Sequence, residues 1–159
     1  MSLKPLALAA ALAAMASAAS ADPVAEGAHL ARTMDCAGCH LPRDQTGVPI
    51  AEAGLSGGTV GFELPGLGIF WPPNLTSSAD GLGTWSDAEI ADAIRNGTRP
   101  DGRTLAPVMP YMSYAELTDN ETAALIAYLR SLPPKDGPRL EPVADAKDAK
   151  APFFRITMP

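Results

Sequence analysis

CAGCH, at residues 36–40, is the most informative stretch of this 159-residue sequence. It places the thiols of Cys36 and Cys39 with two residues between them, and the imidazole of His40 directly after them. This is the spacing of a c-type haem attachment motif, in which two thioether bonds join one porphyrin to the chain. The adjacent imidazole can turn under the ring and ligate the iron through Nε2. We therefore predict one covalently bound haem c, attached at Cys36 and Cys39, with His40 as an iron ligand.

Three other uses of these residues stay open at the level of the sequence. The two cysteines could form a simple disulfide, or a thioredoxin-like dithiol, although such a dithiol usually lies in a βαβ unit. A zinc site could add His29 to the motif, but the adjacent Cys39 and His40 can hardly both reach one tetrahedral ion. We expect His29 to be an ordinary surface residue.

The first 21 residues have the pattern of a secretory signal peptide. Lys4 precedes an apolar run over residues 6–19 that is rich in alanine and short for a membrane span. Small residues follow, which fits cleavage after Ala21, with Ala18 as the second choice. An uncleaved anchor is the alternative. We predict an exported, periplasmic protein with residues 1–21 removed and no transmembrane segment in the mature chain.

The charge balance indicates which partners are suitable. The sequence has 12 basic and 18 acidic side chains and a net charge of −6, and removal of Lys4 with the signal peptide would make the chain still more acidic. An acidic protein does not suit nucleic acid, but it suits a partner with a basic docking patch. Two cysteines in one motif also exclude a framework of several disulfides.

Three helices are predicted, and their starts are marked by capping residues. The first spans residues 23–35, with Asp22 as its cap and Pro23 in its first turn. The second begins at Ser86 with a capping box and ends at Asn96-Gly97. The third begins at the Thr118 cap and ends before Pro133-Pro134. With little strand pattern elsewhere, we predict an all-α domain over residues 22–134, wrapped around one haem.

The segments outside these helices are rich in glycine and proline. A loop as long as residues 41–80 is usually functional, so we expect its apolar residues to line the haem pocket. These residues are Phe62, Leu64, Leu67, Ile69, Phe70 and Trp71. Residues 135–159 alternate charged residues with alanine and proline, which predicts a mobile C-terminal tail whose Phe153, Phe154 and Ile156 fold back or dock.

The second iron ligand should come from an extended loop on the far side of the ring. Met109 fits, because Pro110 disfavours helical geometry at this position and the residue lies between the second and third helices. Met112 is the alternative, and Met34 is more simply a core residue. A thioether opposite histidine raises the reduction potential, which suits an electron carrier.

Short motifs follow the CAGCH motif in a fixed order: PNLT at 73–76, GLGTWSDAEI at 81–90, AIRNG at 93–97, DG at 101–102, MP at 109–110 and LIAYLRSLPP at 125–134. With these motifs the sequence resembles the class I c-type cytochromes over residues 25–134, in particular the cytochrome c domains that accompany bacterial periplasmic dehydrogenases. The resemblance implies Met109 as distal ligand and a crossing of the first and last helices near Gly27 and Tyr128. Such subunits often hold three haem motifs, whereas this sequence holds one.

We therefore expect a periplasmic electron-transfer protein that is not itself an enzyme. Its donor would be a dehydrogenase, and its acceptor an oxidase or another cytochrome of a respiratory chain. A peroxidase-like haem enzyme with an open distal site, or a thiol-disulfide oxidoreductase, is the alternative.

Several side chains are predicted to support the haem. Trp85 is either a donor to a haem propionate or a helix staple. The propionate charges could be met by Arg95, Arg99 and Arg103, although we expect at least two of these arginines to belong simply to a solvated helix face. The free ring nitrogen of His40 should donate to a backbone carbonyl, with one near Pro42 or Pro49 as a candidate.

Overall fold

The computed structural model describes residues 22–157, so the predicted signal peptide lies outside the described residues. The helices are α1 (Pro23–Thr33), α2 (Cys36–His40), α3 (Asp87–Asn96), α4 (Tyr111–Tyr114) and α5 (Asp119–Ser131). The strands are β1 (Gly61–Leu64), β2 (Gly68–Phe70) and β3 (Phe153–Phe154). Single 3₁₀ turns occupy Ala51–Ala53 and Ala146–Asp148. Within residues 22–157 no helix has both the length and the apolar character needed to cross a bilayer.

The three predicted helices are confirmed as α1, α3 and α5. Asp22 caps α1 by accepting a hydrogen bond from the Val24 amide at 3.0 Å. Both predicted capping boxes are present, with the Ser86 and Thr118 side chains each paired with a glutamate three residues on. The first helix ends at Thr33, two residues earlier than predicted, and Asp35 in the left-handed conformation (φ 54°) separates it from α2.

Helices α1 and α5 cross at Gly27, and the hydrophobic core lies beside this crossing. A Cβ atom on Gly27 would lie 1.9 Å from the Ala124 carbonyl oxygen and 2.8 Å from Tyr128 Cβ, so only glycine permits this approach. The crossing near Gly27 and Tyr128 that the resemblance implied is therefore confirmed. Apolar residues from all three long helices and from two loops bury themselves beside it: Ala31, Leu55, Leu82, Ile90, Ile94, Leu125, Ile126 and Leu129.

The all-α prediction is incomplete, because a small sheet accompanies the helices. Its order is β2-β1-β3, with β1 antiparallel to β2 and parallel to β3. Strands of two to four residues are too short for an alternating pattern to stand out in a sequence.

Residues 135–157 form an ordered segment, which we call the C-terminal strap, and the prediction of a mobile tail is wrong for them. Val143 and Ile69 exchange two backbone hydrogen bonds, and the Trp71 indole donates to the Pro152 carbonyl at 3.1 Å. Arg155 forms a bidentate ion pair with Glu63 at the far end. The predicted docking is confirmed for Phe153 and Phe154, which pair with β1.

The strap also corrects the expectation for the apolar residues of loop 41–80. Ile69 is fully buried and Trp71 is buried beneath the strap, while Leu67 is exposed in the turn of the hairpin. Ile69 and Trp71 pack on protein and Leu67 faces solvent, so the idea that the whole set lines a haem pocket is wrong.

Candidate haem site

Helix α2 is a single turn that brings the two thiols and the imidazole of the motif together. Both thiols are free; that of Cys36 is half-buried and that of Cys39 is exposed. His40 ends the turn and is buried, with 7% of its surface exposed. Gly38 lies against the Asp35 side chain, where a Cβ atom would come within 2.2 Å of a carboxylate oxygen. This five-residue turn therefore holds both predicted attachment points, Cys36 and Cys39, and the predicted iron ligand, His40.

The His40 ring is oriented by a carbonyl that the sequence did not reveal. Its Nδ1 lies 2.7 Å from the Pro73 carbonyl oxygen, and not beside Pro42 or Pro49. Because a carbonyl only accepts, Nδ1 carries the proton and Nε2 keeps a lone pair for a metal. Burial lowers the pKa of His40, against the opposing effect of the Pro73 hydrogen bond, so the ring is neutral near pH 7.

The loop that bears this carbonyl is held by Asn74, the residue that follows Pro73. Its side chain is buried and accepts from the Thr76 amide and hydroxyl, both at 2.8 Å. It donates to the Ser78 hydroxyl at 3.0 Å and to the Lys135 carbonyl at 2.7 Å. Hydrogen bonds to residues 76 and 78 of the same loop and to Lys135 therefore fix the position of Asn74, and with it the adjacent Pro73 carbonyl.

The thiols are not those of a reactive dithiol. Burial raises the pKa of Cys36 to about 11, and burial together with Asp35 raises the pKa of Cys39. Catalytic dithiols have a lowered pKa, because the thiolate is the nucleophile. A helix precedes the motif and an irregular loop follows it, in place of the βαβ unit that a thioredoxin-like site needs.

Met109 lies in the loop between α3 and α4 and is half-buried, whereas Met112 is 65% exposed. The Met109 amide donates to the Ala106 carbonyl at 2.9 Å and its own carbonyl accepts from Tyr111 at 2.8 Å. Two residues farther along the chain contact Gly97, where this loop begins. The Gly97 carbonyl accepts from the Leu105 amide at 2.7 Å, and a Cβ atom on Gly97 would lie 2.8 Å from the Tyr111 ring.

A further hydrogen bond ties the methionine-bearing loop to the motif. The Tyr114 hydroxyl, in the helix after Met109, donates to the Met34 carbonyl at 3.1 Å, two residues before Cys36. Burial, followed by the proximity of Cys36 and Cys39, raises the pKa of Tyr114. Met34 itself packs on the core, as predicted. Met109 is therefore carried on a loop that is anchored beside the attachment turn.

All three candidate arginines lie within ion-pair distance of an aspartate, but the Nε atom of Arg99 makes no hydrogen bond within the described residues. Arg95 binds Asp119 at 2.8 Å and Arg103 binds Asp101 at 2.9 Å. The Arg99 guanidinium stacks over the Trp85 ring at 5.1 Å from its centroid. Its Nε is buried and makes no hydrogen bond within residues 22–157, with the Asp101 carboxylate 3.6 Å away.

These observations fit a haem c group. The turn α2 offers two free thiols and a neutral imidazole whose Nε2 remains available, and Arg99 offers a buried donor suited to an anionic propionate. His29 is exposed on α1, as expected of a surface residue.

Comparison with known proteins agrees with this fit. The Cytochrome c family model matches residues 24–133. The chain is 39% identical, over 64% of its length, to "Diheme cytochrome c-type" from Cereibacter sphaeroides, of which the match covers 33%. It is 36% identical, over 66% of its length, to "Alcohol dehydrogenase (quinone), cytochrome c subunit" from Gluconacetobacter polyoxogenes, with 21% of that protein covered.

A third relative matches a larger part of the chain. The chain is 34% identical, over 82% of its length, to "Gluconate 2-dehydrogenase cytochrome c subunit" from Pantoea cypripedii, of which 26% is covered. The chain thus spans between 21% and 33% of the length of these three relatives.

Proposed function

Because the chain belongs to the cytochrome c family, a family of electron carriers with covalently bound haem c, we propose that Cys36, Cys39, His40 and Met109 would hold one haem in this chain. The observation that carries this proposal is the hydrogen bond from His40 Nδ1 to the Pro73 carbonyl beside two free thiols. When bound, haem c supplies a one-electron iron couple.

The residues of the site have separate tasks in this proposal. Cys36 and Cys39 attach the group, and the neutral Nε2 of His40 ligates its iron without first losing a proton. The Met109 thioether favours ferrous iron and so raises the reduction potential. Arg99, held on the Trp85 ring, has a buried Nε that would donate to a propionate and stabilise that charge.

The partner is proposed from the relatives and from the charge. Two of the three relatives are named as cytochrome subunits of dehydrogenases, so we propose an exported dehydrogenase as electron donor and a respiratory protein as acceptor, in the periplasm. A net charge of −6 favours docking against a basic surface, with an association rate that falls as salt is added. In this role the chain transfers electrons and transforms no substrate of its own.

The experiment that tests the proposal starts from the exported protein. Its intact mass after denaturation should exceed the mass of the polypeptide by one haem, and Cys36→Ala with Cys39→Ala should abolish that increment. The oxidised protein should show the weak long-wavelength absorption band of thioether-ligated ferric haem. A polypeptide mass alone would refute haem attachment, and a missing band would favour an open distal site.

A further inference from the structure

We propose that the base of the C-terminal strap, residues 135–137, positions His40 and thereby sets the reduction potential of the site. This inference rests on the proposed function, because it takes His40 as the iron ligand. The strap base lies outside the stretch of the family match, which ends at residue 133.

The first connection runs through the ring nitrogen of His40. The Pro73 carbonyl accepts from Nδ1, and the next residue, Asn74, is fixed by the Lys135 carbonyl at 2.7 Å. The Thr76 hydroxyl, which donates to Asn74, lies 3.1 Å from the same carbonyl and accepts from the Lys135 amide at 3.2 Å. Asn74 and Thr76 are 5% and 2% exposed, so water does not replace these contacts easily. The strap base therefore holds the loop that bears the acceptor.

The second connection runs through the backbone of His40. The Gly57 amide donates to the His40 carbonyl at 2.9 Å, which holds the end of α2 against loop 55–58. Gly137 packs on the neighbouring Ser56 so closely that a Cβ atom would lie 1.6 Å from the Ser56 carbonyl oxygen. The Lys135 ammonium also donates to the Glu52 carbonyl in the preceding turn. The strap base thus clamps both loops that contact His40.

The chemical consequence follows from how strongly Nδ1 donates. A firm hydrogen bond to a carbonyl makes an imidazole a more basic ligand, which favours ferric over ferrous iron. If the Pro73 carbonyl moves away, the ligand becomes less basic and the potential rises. Lys135, Gly137 and Asn74 are positioning residues, since they act through His40 alone.

Two glycine substitutions in the full-length haem protein separate the strap base from the rest of the strap. Gly137→Ala forces the base off Ser56. Gly68→Ala is the control, because its Cβ atom would meet the Val143 carbonyl at 2.5 Å and its φ of 119° also disfavours alanine, so this change would displace the middle of the strap. Neither changes a charge. The potential of each variant is measured by redox titration, and amide hydrogen exchange at Gly57 and Leu75 reports whether the two loops have loosened.

We expect Gly137→Ala to raise the reduction potential. The equilibrium constant for reduction should increase about threefold to tenfold, where tenfold corresponds to about 59 mV for one electron. Gly68→Ala should leave the potential unchanged. An unshifted potential in Gly137→Ala, or an equal shift in both variants, would overturn the inference.

Asn74→Ala gives a second route to the same result if Gly137→Ala does not fold. It removes the donor to the Lys135 carbonyl and should raise the potential as well; an unchanged potential would again overturn the inference. Failure of the proposed function itself is distinguishable, because the unsubstituted protein would then carry no haem and show no redox titration at all.

Discussion

The crossing of α1 and α5 and the clamp of the C-terminal strap hold the molecule together by different means. At the crossing, glycine allows two helix backbones to touch and apolar side chains fill the space around them. At the strap, the contacts are hydrogen bonds between backbone groups and a few buried polar side chains. Apolar packing stabilises a whole framework, whereas directed hydrogen bonds place particular atoms. The difference suggests that the first region governs folding and the second adjusts the site.

A substitution at the helix crossing should have the largest effect on the unfolding free energy. Gly27→Val inserts atoms where the Ala124 carbonyl lies within 1.9 Å of a Cβ position, and should cost about 3 kcal/mol or more in unfolding free energy. Chemical denaturation of the haem protein measures it. Ala25→Val, at an exposed position of the same helix, is the control and should cost only about 0.5 kcal/mol. Equal effects at the two positions would mean that the crossing is not a tight contact.

A change at the proposed distal ligand should alter the site and leave both regions in place. Met109→Ala should lower the potential by more than about 59 mV, a tenfold change for one electron, while the haem stays attached. Met112→Ala, at an exposed position, should leave the potential nearly unchanged. Redox titration of both variants decides between the two methionines, and the reverse result would assign the ligand to Met112.

Loosening the strap should have a smaller and more local effect. Trp71→Phe removes the donor to the Pro152 carbonyl and should cost about 1 kcal/mol. The amide of Gly61, which donates to the same carbonyl, should then exchange faster with solvent, while amides in α1 and α5 keep their protection. Hydrogen exchange followed residue by residue measures this. Uniform acceleration in both regions would show that they open as one unit.

The smallest effect is expected in the acid dependence of the strap. The Ser78 hydroxyl, the Gly137 amide and nearby Arg139 hold the pKa of Asp80 below its usual value. Because the folded pKa is the lower one, this carboxylate stabilises the fold above its unfolded pKa and loses that contribution as the pH falls through its folded value. The difference in unfolding free energy between the unsubstituted protein and Asp80→Asn should therefore shrink from about pH 6 to about pH 3. A constant difference would contradict this account.

The sequence predicted the helices and their crossing better than it predicted the hydrogen bonds of the strap. The helix starts at Ser86 and Thr118 are local patterns of four residues, and the crossing at Gly27 came from a family resemblance. The acceptor for His40 could not be predicted, because it is a backbone carbonyl 33 residues away and any residue supplies one. Apart from the docking of Phe153 and Phe154, the contacts of the strap were missed for the same reason: Trp71 and Pro152 meet across 81 residues, and composition alone suggested a mobile tail. Short-range patterns and the family resemblance could therefore be read from the sequence, whereas contacts between distant backbone groups could not.

The double attachment of the methionine-bearing loop at Gly97 has a practical consequence for protein engineering. The Tyr111 ring packs against Gly97, so the loop between these two residues begins and ends almost in the same place, and the Leu105 amide adds a bond to Gly97 from its middle. A segment closed at its own base can be lengthened, shortened or grafted from another protein at little entropic cost. The loop at residues 98–110 can thus be replaced as a unit, and a designer could vary the distal ligand in it while leaving the helices unchanged.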